Sequence, residues 1–381
     1  MGRAGQPPVS RAPKPGGDPA ASASPSRPGV LLVNVGTPDS TSVADVRAYL
    51  GEFLMDRRVI DIPGALRWLL VHGVILRTRP RRSAEAYRKI WTAHGSPLLR
   101  HGEELAAGLR LALGDAVAGV ALAMRYRNPS IEAALRRFHD AGIDDVVVVP
   151  LYPQYSAAAW ASVFDEVSRV AASLPVVPSL RFVPPFHAHP GFLDAAAEVA
   201  RPHLAGFRPD RVLMSFHGLP ERHVRASDRS GGHCLAGPEC CSRLVSANSG
   251  CYRAQCYATA RALAERLGLG AADYEVAFQS RLTRHWIQPF TDHRLHQLPG
   301  EGIRRVAVLC PSFVADCLET LEEIGIRAAE SFRAAGGHEL RLVPCVNTAP
   351  SWVRGLAGIV REQMAGSGAA RTRPEPAPTA T

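Results

Sequence analysis

Two places in the 381-residue chain combine residue types that could move protons or hold a metal. The first pairs an imidazole with a row of carboxylates. An apolar run at 212–216 leads straight into His217-Gly218-Leu219-Pro220, so the ring leaves a strand at a turn. A second run at 306–310 ends at Pro311, and the helical pattern after it, over 315–334, carries Asp316, Glu319 and Glu323. Spacings of three and four put these acids on one helix face. A histidine at a strand end is more often packed and hydrogen-bonded than a ligand, and Asp316 alone fits a helix-capping turn. Glu319 and Glu323 extend the stripe, and repelling carboxylates along one face gain little as decoration. With a neutral imidazole they form an N/O donor set for a divalent first-row metal and a group of proton acceptors.

The second place is rich in thiols. Of eight cysteines, five (Cys234, Cys240, Cys241, Cys251 and Cys256) fall in one short polar, glycine-rich stretch. Core packing does not account for cysteines in such a stretch, and disulfides are not expected in a cytosolic enzyme. A four-thiolate site remains, holding either zinc or an iron–sulfur cluster, with four of the five as ligands. Cys240 and Cys241 are adjacent, and the spacing does not choose between them. Cys310, Cys317 and Cys345 stand apart and read as packed thiols.

The elements that must position these groups follow from periodicity. Apolar runs at 30–35, 120–124, 146–150, 176–183, 212–216, 274–278, 306–310 and 340–343 alternate with helical patterns, among them 131–140, 259–267 and 315–334. Such runs, bounded by turns and separated by helices, are buried parallel strands of βα units. The expected fold is α/β: two doubly wound, Rossmann-like parallel-sheet domains with the site in the cleft between them, beyond the strand ends. The expected organisation is a disordered tail at 1–27, a first domain at 28–186 and a second at 187–350 holding His217, Glu319 and a cysteine-rich insertion at 229–256. A helix at 351–365 and a second disordered tail at 366–381 complete it. His187-Ala-His189-Pro190 interrupts the pattern near the boundary, and no internal sequence repeat is evident.

Composition removes several classes of function. With 46% hydrophobic and 21% charged residues the chain is globular and soluble. No stretch reaches the roughly 20 apolar residues of a membrane span. The formal charge is +9, and Arg3, Arg11, Lys14 and Arg27 against Asp18 place part of it in the first tail. The remaining core is modestly basic and does not call for nucleic acid. No phosphate-binding P-loop is present, and Gly268-Leu-Gly270 follows a helix, as a C-cap turn does. The first tail has no secretory apolar region, so a cytoplasmic protein is expected. Residues 62–82 place Trp68, Leu69, Leu70, Val74 and Leu76 before Arg77, Arg79, Arg81 and Arg82. That stretch is either an amphipathic core helix or a cleft lip that touches a membrane surface peripherally.

Ser215-Phe-His217-Gly-Leu-Pro220 resembles a ferrochelatase motif, as do Phe278-Gln-Ser280 with Trp286-Ile-Gln-Pro289 and Phe313-Val-Ala-Asp316 with Leu318-Glu-Thr-Leu321-Glu. Val33-Asn-Val-Gly-Thr-Pro38, Tyr87-Arg-Lys-Ile-Trp91 with Gly95-Ser-Pro97, and Met124-Arg-Tyr126 with Asn128-Pro129 fit the first half of that family. The resemblance runs in order over roughly residues 29–360. It implies two similar chelatase-type α/β domains around a porphyrin cleft. It also implies a lyase that inserts Fe2+, as substrate, into protoporphyrin IX with release of two protons, the terminal step of haem biosynthesis. The wording of the His217 motif resembles the protoporphyrin-using branch.

Carried over residue by residue, the resemblance makes His217 and Glu319 the metal-handling and proton-accepting pair, with Asp316 and Glu323 extending an acidic path. Tyr87, Ser96, Arg125, Tyr126 and Trp286 become porphyrin contacts. The side from which iron enters stays open. Some members carry a 2Fe–2S cluster, which favours that cofactor over structural zinc for the thiols here, and residues 229–251 look inserted relative to shorter members. Arg127 departs from the family, where a small residue usually follows Arg-Tyr. Two rival readings come from other classes. A non-catalytic tetrapyrrole-binding module is opposed by the presence of both His217 and Glu319. A metal-dependent regulator of nucleic acid is opposed by the modest charge and the absence of a helix-turn-helix pattern.

Overall fold

The computed structural model describes residues 1–2 and 27–366, so the two expected tails lie almost wholly outside the described residues. Four parallel strands, β1 (Gly29–Gly36), β2 (Gly119–Tyr126), β3 (Asp145–Pro150) and β4 (Ser179–Phe182), form one sheet in the order β2-β1-β3-β4. Four more, β5 (Arg211–His217), β6 (Tyr274–Gln279), β7 (Arg305–Leu309) and β8 (Glu339–Leu342), repeat that order as β6-β5-β7-β8. This is the expected doubly wound α/β architecture, built twice. In each sheet the winding reverses beside the first strand, and a crevice opens there beyond the strand ends.

In the first half, α1 (Val43–Met55), α2 (Gly64–Leu70), α3 (Leu76–Ile90) and α4 (Pro97–Leu113) precede β2, and α5 (Ile131–Asp140) and α6 (Ser162–Ala171) flank β3. The long α7 (Pro190–Phe207) leads into the second sheet. There α8 (Glu221–Ala226) and α9 (Tyr252–Leu267) precede β6, and α10 (Thr291–Gln297) follows it. A single turn, α11 (Leu318–Thr320), runs through a wide π-helical segment, Leu321–Ala328, into α12 (Ala329–Ala334). The last helix is α13 (Pro350–Met364).

The strands are apolar on both faces because helices cover both faces. Val30, Leu31, Leu32 and Val33 of β1 are all fully buried, as are Val146 to Val149 of β3. One core cluster joins the halves, running from Val30 and Leu105 through Phe192 and Phe207 to Met214 and Trp352. α13 makes that union possible by crossing back onto the first half. Gly191 and Gly355 let α7 and α13 meet at backbone distance, where a Cβ on either would collide with the other. Arg361 then ties α13 to the carbonyl of Ala112 at 2.6 Å.

Three expectations need correction. The edge strand β4 starts at Ser179 instead of 176, because Pro178 has no N–H for the ladder; Val176 and Val177 are exposed. The helix expected at 259–267 begins at Tyr252, which puts Cys256 inside α9 instead of in the insertion loop. The helix expected at 315–334 begins at Leu318, so Asp316 precedes it. The expected C-cap at Gly268 is present, with φ +68° and its N–H bonded within the last turn of α9.

Candidate active site

Register sets the placement of His217. β5 pairs with β7 as far as Met214–Leu309, while its pairing with β6 continues to His217–Gln279. The imidazole therefore stands beyond the end of β7, in the crevice. Its Nδ1 lies 2.7 Å from the carbonyl of Gly218. A carbonyl only accepts, so Nδ1 carries a proton, and in the neutral ring the lone pair is on Nε2, open to a metal or a proton. The His217 N–H donates to Ser312 Oγ (3.0 Å), and its carbonyl accepts from the Tyr252 hydroxyl (2.8 Å). Trp286 and Phe313 flank the ring, each with its centroid 6.2 Å away. Gly218 is needed there, since a Cβ would meet the Gln279 carbonyl and the Trp286 ring.

The carboxylates come from the α11 turn and the π-helical segment. Glu323 accepts from Ser280 twice, from N–H (2.8 Å) and from Oγ (2.6 Å). Burial pushes its carboxyl above the usual glutamate range, the Ser280 hydrogen bonds oppose this, and Glu319 adds to the rise while His217 counters it. His217, Glu319 and Glu323 thus share one electrostatic neighbourhood. Ser280 holds φ +62° to make the double contact. Gln279 Nε2 donates to the Glu319 carbonyl (2.8 Å), and Ser215 Oγ anchors Gln279 Oε1 (2.7 Å). Tyr87, on α3, is buried with its ring against Tyr49 and Trp91. Burial and the nearby Glu319 carboxylate raise its hydroxyl pKa well above normal.

Asp316 is placed differently from the one-face expectation. Its carboxylate is buried and accepts from Thr320 Oγ1 (3.0 Å) and Asn347 Nδ2 (2.7 Å). Its own N–H donates to Asn347 Oδ1 (2.8 Å). The side chain fastens the turn before Glu319 to the loop after β8.

At the end of the first sheet, Arg125 and Tyr126 face inward to Asp56. Arg125 Nη2 (2.7 Å) and the Tyr126 hydroxyl (2.9 Å) donate to the Asp56 carboxylate. Arg125 Nε also donates to Ser162 Oγ (2.7 Å). Burial resists ionisation of Asp56, but Ser162, the Arg58 N–H, the Arg125 charge and Tyr126 hold its carboxyl below the usual range. Ser96 is buried where α4 begins, and Leu98 just after it packs on Ala315 and Cys317. Arg127, at φ +70°, pairs with Asp39 and Glu52, which binds the loop after β1 and α1 to the end of β2.

The thiols converge on the first turn of α9. Cys234, Cys241, Cys251 and Cys256 are buried, and Cys240 is half-buried. Cys251 neighbours both Cys234 and Cys241. The Cys240 and Cys241 sulfurs are 3.6 Å apart. Arg253 Nη1 donates to Cys241 Sγ at 3.2 Å and to Cys240 Sγ at 3.7 Å. Burial raises the Cys234 and Cys256 thiols; contact with Cys251, reinforced by burial, raises Cys241. Asp228 shapes the loop by accepting the N–H groups of Ser230, His233 and Cys234. Among the described residues no group of three or more His, Cys, Asp or Glu is already arranged around a metal-sized position.

Sequence reasoning missed Ser280, Gln279, Ser312 and Tyr252, which hold the chemical groups in place. Ser280 and Gln279 stood in the Phe278-Gln-Ser280 motif; nothing local distinguished Ser312 or Tyr252.

A paired parallel-sheet architecture with an imidazole and carboxylates at the strand ends is a fold shared with a solved chelatase. The solved sirohydrochlorin chelatase SirB of Bacillus subtilis subspecies spizizenii, in complex with cobalt, shares the fold, with a TM-score of 0.50 at 12% identity. That likeness covers 88% of this chain and 95% of that one. The family model described as Ferrochelatase matches residues 27–364. The Ferrochelatase of Azotobacter vinelandii is 49% identical over 335 residues, 87% of this chain and 98% of that protein. The Ferrochelatase of Legionella pneumophila (strain Corby) is 44% identical over 339 residues, 89% of this chain and 100% of that protein. The chain belongs to the ferrochelatase family, the lyases that insert iron into protoporphyrin in haem biosynthesis.

Proposed function

We propose that this chain inserts Fe2+ into protoporphyrin at the end of β5, with His217 Nε2 handling the metal first. That nitrogen accepts a pyrrole proton only after the iron has passed to the porphyrin nitrogens and freed its lone pair. Ferrous iron must shed water, and two pyrrole protons must leave. An imidazole whose Nδ1 proton is fixed on a carbonyl presents one basic nitrogen for that work. Glu319 and Glu323 carry the protons onward. Glu323 is suited to receive one, because burial already biases it toward the protonated form. Asp316 is a positioning residue that holds the Glu319 turn. Trp286 and Phe313 flank the macrocycle beside His217, and Tyr87 lies near Glu319. Arg125 and Tyr126, locked on Asp56, make a rigid cleft wall.

The observation that carries this reading is the convergence of His217, Glu319 and Glu323. Its test is anaerobic incubation with Fe2+ and protoporphyrin. His217→Ala and Glu319→Gln should each abolish metalloporphyrin formation in folded protein, and near-normal turnover by either overturns the assignment.

The thiols have the donor chemistry of a four-thiolate cluster, and we assign four of the five to a 2Fe–2S centre. The Arg253 guanidinium supports this, because it would offset the negative charge of cluster thiolates. Their raised pKa values mean that ligation must displace protons. Such a centre supplies one-electron redox chemistry and a crosslink between loop and helix. Freshly isolated protein should be red-brown; one zinc per colourless chain overturns this assignment alone.

The chain works at a membrane surface from the cytoplasmic compartment. Among the described residues no helix is long and apolar enough to cross a membrane. Yet Leu66, Trp68, Leu69 and Val74 are each more than half exposed around α2, beside the exposed Arg77, Arg79, Arg81 and Arg82. Apolar side chains next to arginines suit an anionic interface. Leu76, by contrast, is buried against α1.

A further inference from the structure

Gln154 stands in the loop after β3, in the first half, and its side chain is almost wholly buried. A buried amide must find partners, and Gln154 finds them in the second half. Its Nε2 donates twice, to Thr259 Oγ1 on α9 (3.1 Å) and to the Pro311 carbonyl just beyond β7 (3.3 Å). The Thr259 contact belongs to a polar seam between the halves. Thr259 Oγ1 bonds to the His187 carbonyl (2.9 Å), and the Tyr155 N–H donates to Gln255 Oε1 (2.7 Å). The Pro311 contact leads elsewhere.

Pro311 is followed by Ser312 and Phe313, and both meet His217. Ser312 Oγ accepts the His217 N–H at 3.0 Å, and the Phe313 ring centroid lies 6.2 Å from that of the imidazole. The carbonyl that Gln154 holds lies in the peptide plane joining Pro311 to Ser312, so its direction sets where Ser312 begins. Proline fixes its own φ and leaves ψ free, and ψ is the torsion that turns this carbonyl. A carbonyl held on the Gln154 amide cannot turn without breaking that bond. The rest of the loop is hydrogen-bonded within its own half, Phe313 N–H to the Cys310 carbonyl (3.0 Å) and Asn347 N–H to the Val314 carbonyl (2.8 Å).

We infer that Gln154 is a positioning residue for His217, reaching it from the other half of the molecule through Pro311 and Ser312. The inference rests on His217 being the metal-handling residue. With the Pro311 carbonyl held, Ser312 Oγ stays on the His217 N–H and Phe313 stays beside the ring. Without the amide, ψ of Pro311 is released, the Ser312 contact loosens and the imidazole is presented less uniformly. Thr259, by contrast, joins the halves without leading to the imidazole. The first half thus supports the reaction from a residue that touches none of the reacting atoms.

The test reads the backbone amide of His217 by proton–nitrogen NMR of protein labelled with 15N-histidine, the His217 signal being the one lost in His217→Ala. Gln154→Met keeps the length of the side chain and removes its donors. It should move the His217 amide proton upfield, as the bond to Ser312 weakens. The same variant should lose about three- to tenfold in kcat, the worth of one hydrogen bond, with KM for porphyrin unchanged. Thr259→Val, which removes only the seam contact, should lower Tm and leave the amide signal and kcat as in wild type. Ser312→Ala should lower kcat by a similar factor, and adding Gln154→Met to it should cost less than about twofold more, because the two residues act in series. If Gln154→Met does not fold, Gln154→Asn, whose amide stops one methylene short of Pro311, should shift the His217 amide the same way. An unmoved His217 amide, or kcat losses that multiply in the double variant, overturns the inference. Full insertion activity in His217→Ala would instead strike the assignment of His217 itself.

Discussion

The two halves of the molecule share one topology and have opposite chemistry at the strand ends. β2 and β6 occupy the same place in their sheets, and each closes the same way: Met124 N–H bonds to the Pro129 carbonyl, Phe278 N–H to the Pro289 carbonyl. A residue at positive φ follows each strand, Arg127 after one and Ser280 after the other. The first half spends its polar groups internally, with Asp56 gathering Arg125, Tyr126, Ser162 and the Arg58 N–H into one saturated network. The second leaves capacity over, in the Nε2 of His217 and in a glutamate biased toward protonation. β1 ends in Gly36, where a Cβ would collide with the Tyr126 carbonyl, whereas β5 ends in His217. A duplicated scaffold thus carries one wall whose polar groups are paired among themselves and one that keeps unpaired accepting capacity.

The contrast can be broken by changing the character of either half. The largest effect should come from Asp56→Asn, which leaves the half-buried guanidinium of Arg125 with a neutral partner. Unfolding by denaturant should show a loss of about 3 kcal/mol, since one side of a buried pair is removed. The kcat of the remaining folded protein should change far less than in any variant of His217. A large fall in kcat at unchanged stability would place catalysis in the first half.

Glu323→Gln should do the reverse, losing about tenfold in kcat as a proton acceptor is removed. The folded protein binds a proton on Glu323 more tightly than the unfolded chain does. The stability this contributes is present below the ordinary glutamate range and lost as pH rises through the shifted value. Glutamine does not ionise, so the Tm of the variant relative to wild type should climb as pH rises above the ordinary glutamate range. A Tm difference independent of pH would mean that Glu323 is ionised without cost.

Much of this contrast was legible in the sequence. Seven of the eight strands stand where apolar runs predicted them, and the edge strand β4 starts three residues late, because parallel strands covered on both faces leave an unbroken apolar signature and an edge strand does not. His217 was visible because it ends an apolar strand run at a turn, and Glu319 because it belongs to the acidic stripe in the helical pattern after β7. The turn before α11 was not. Asp316 sits three residues before Glu319, a helical spacing, but its carboxylate is consumed by Asn347 and Thr320, and Asn347 is distant in sequence. Tyr252 was hidden for a related reason: the cysteines around it read as loop, while burial of Ala254, Cys256 and Ala260 carries the helix back to Tyr252. The inward turn of Arg125 and Tyr126 depends on Asp56 and Ser162, which no spacing links to them.

Two smaller effects sharpen the comparison at the margins. Leu66→Ser with Leu69→Ser should lower sedimentation with anionic liposomes at low salt, while insertion into detergent-dispersed porphyrin is kept. Equal pelleting of variant and wild type would return α2 to an ordinary surface role. Arg127→Gly should lie within about 1 kcal/mol of wild type by thermal unfolding, because relief of the left-handed backbone offsets the loss of surface pairs. A larger loss would show that its links to Asp39 and Glu52 act as more than surface pairs.

The most direct test of the central claim, that one half of a duplicated fold does the chemistry, is a side-by-side anaerobic insertion assay. Wild type, Arg125→Met and His217→Ala would be followed with Fe2+ and saturating protoporphyrin, each confirmed folded by circular dichroism. Wild type and Arg125→Met should both develop the metalloporphyrin spectrum, and His217→Ala should leave the free-base porphyrin spectrum unchanged. An active His217→Ala beside an inactive, folded Arg125→Met would contradict the account.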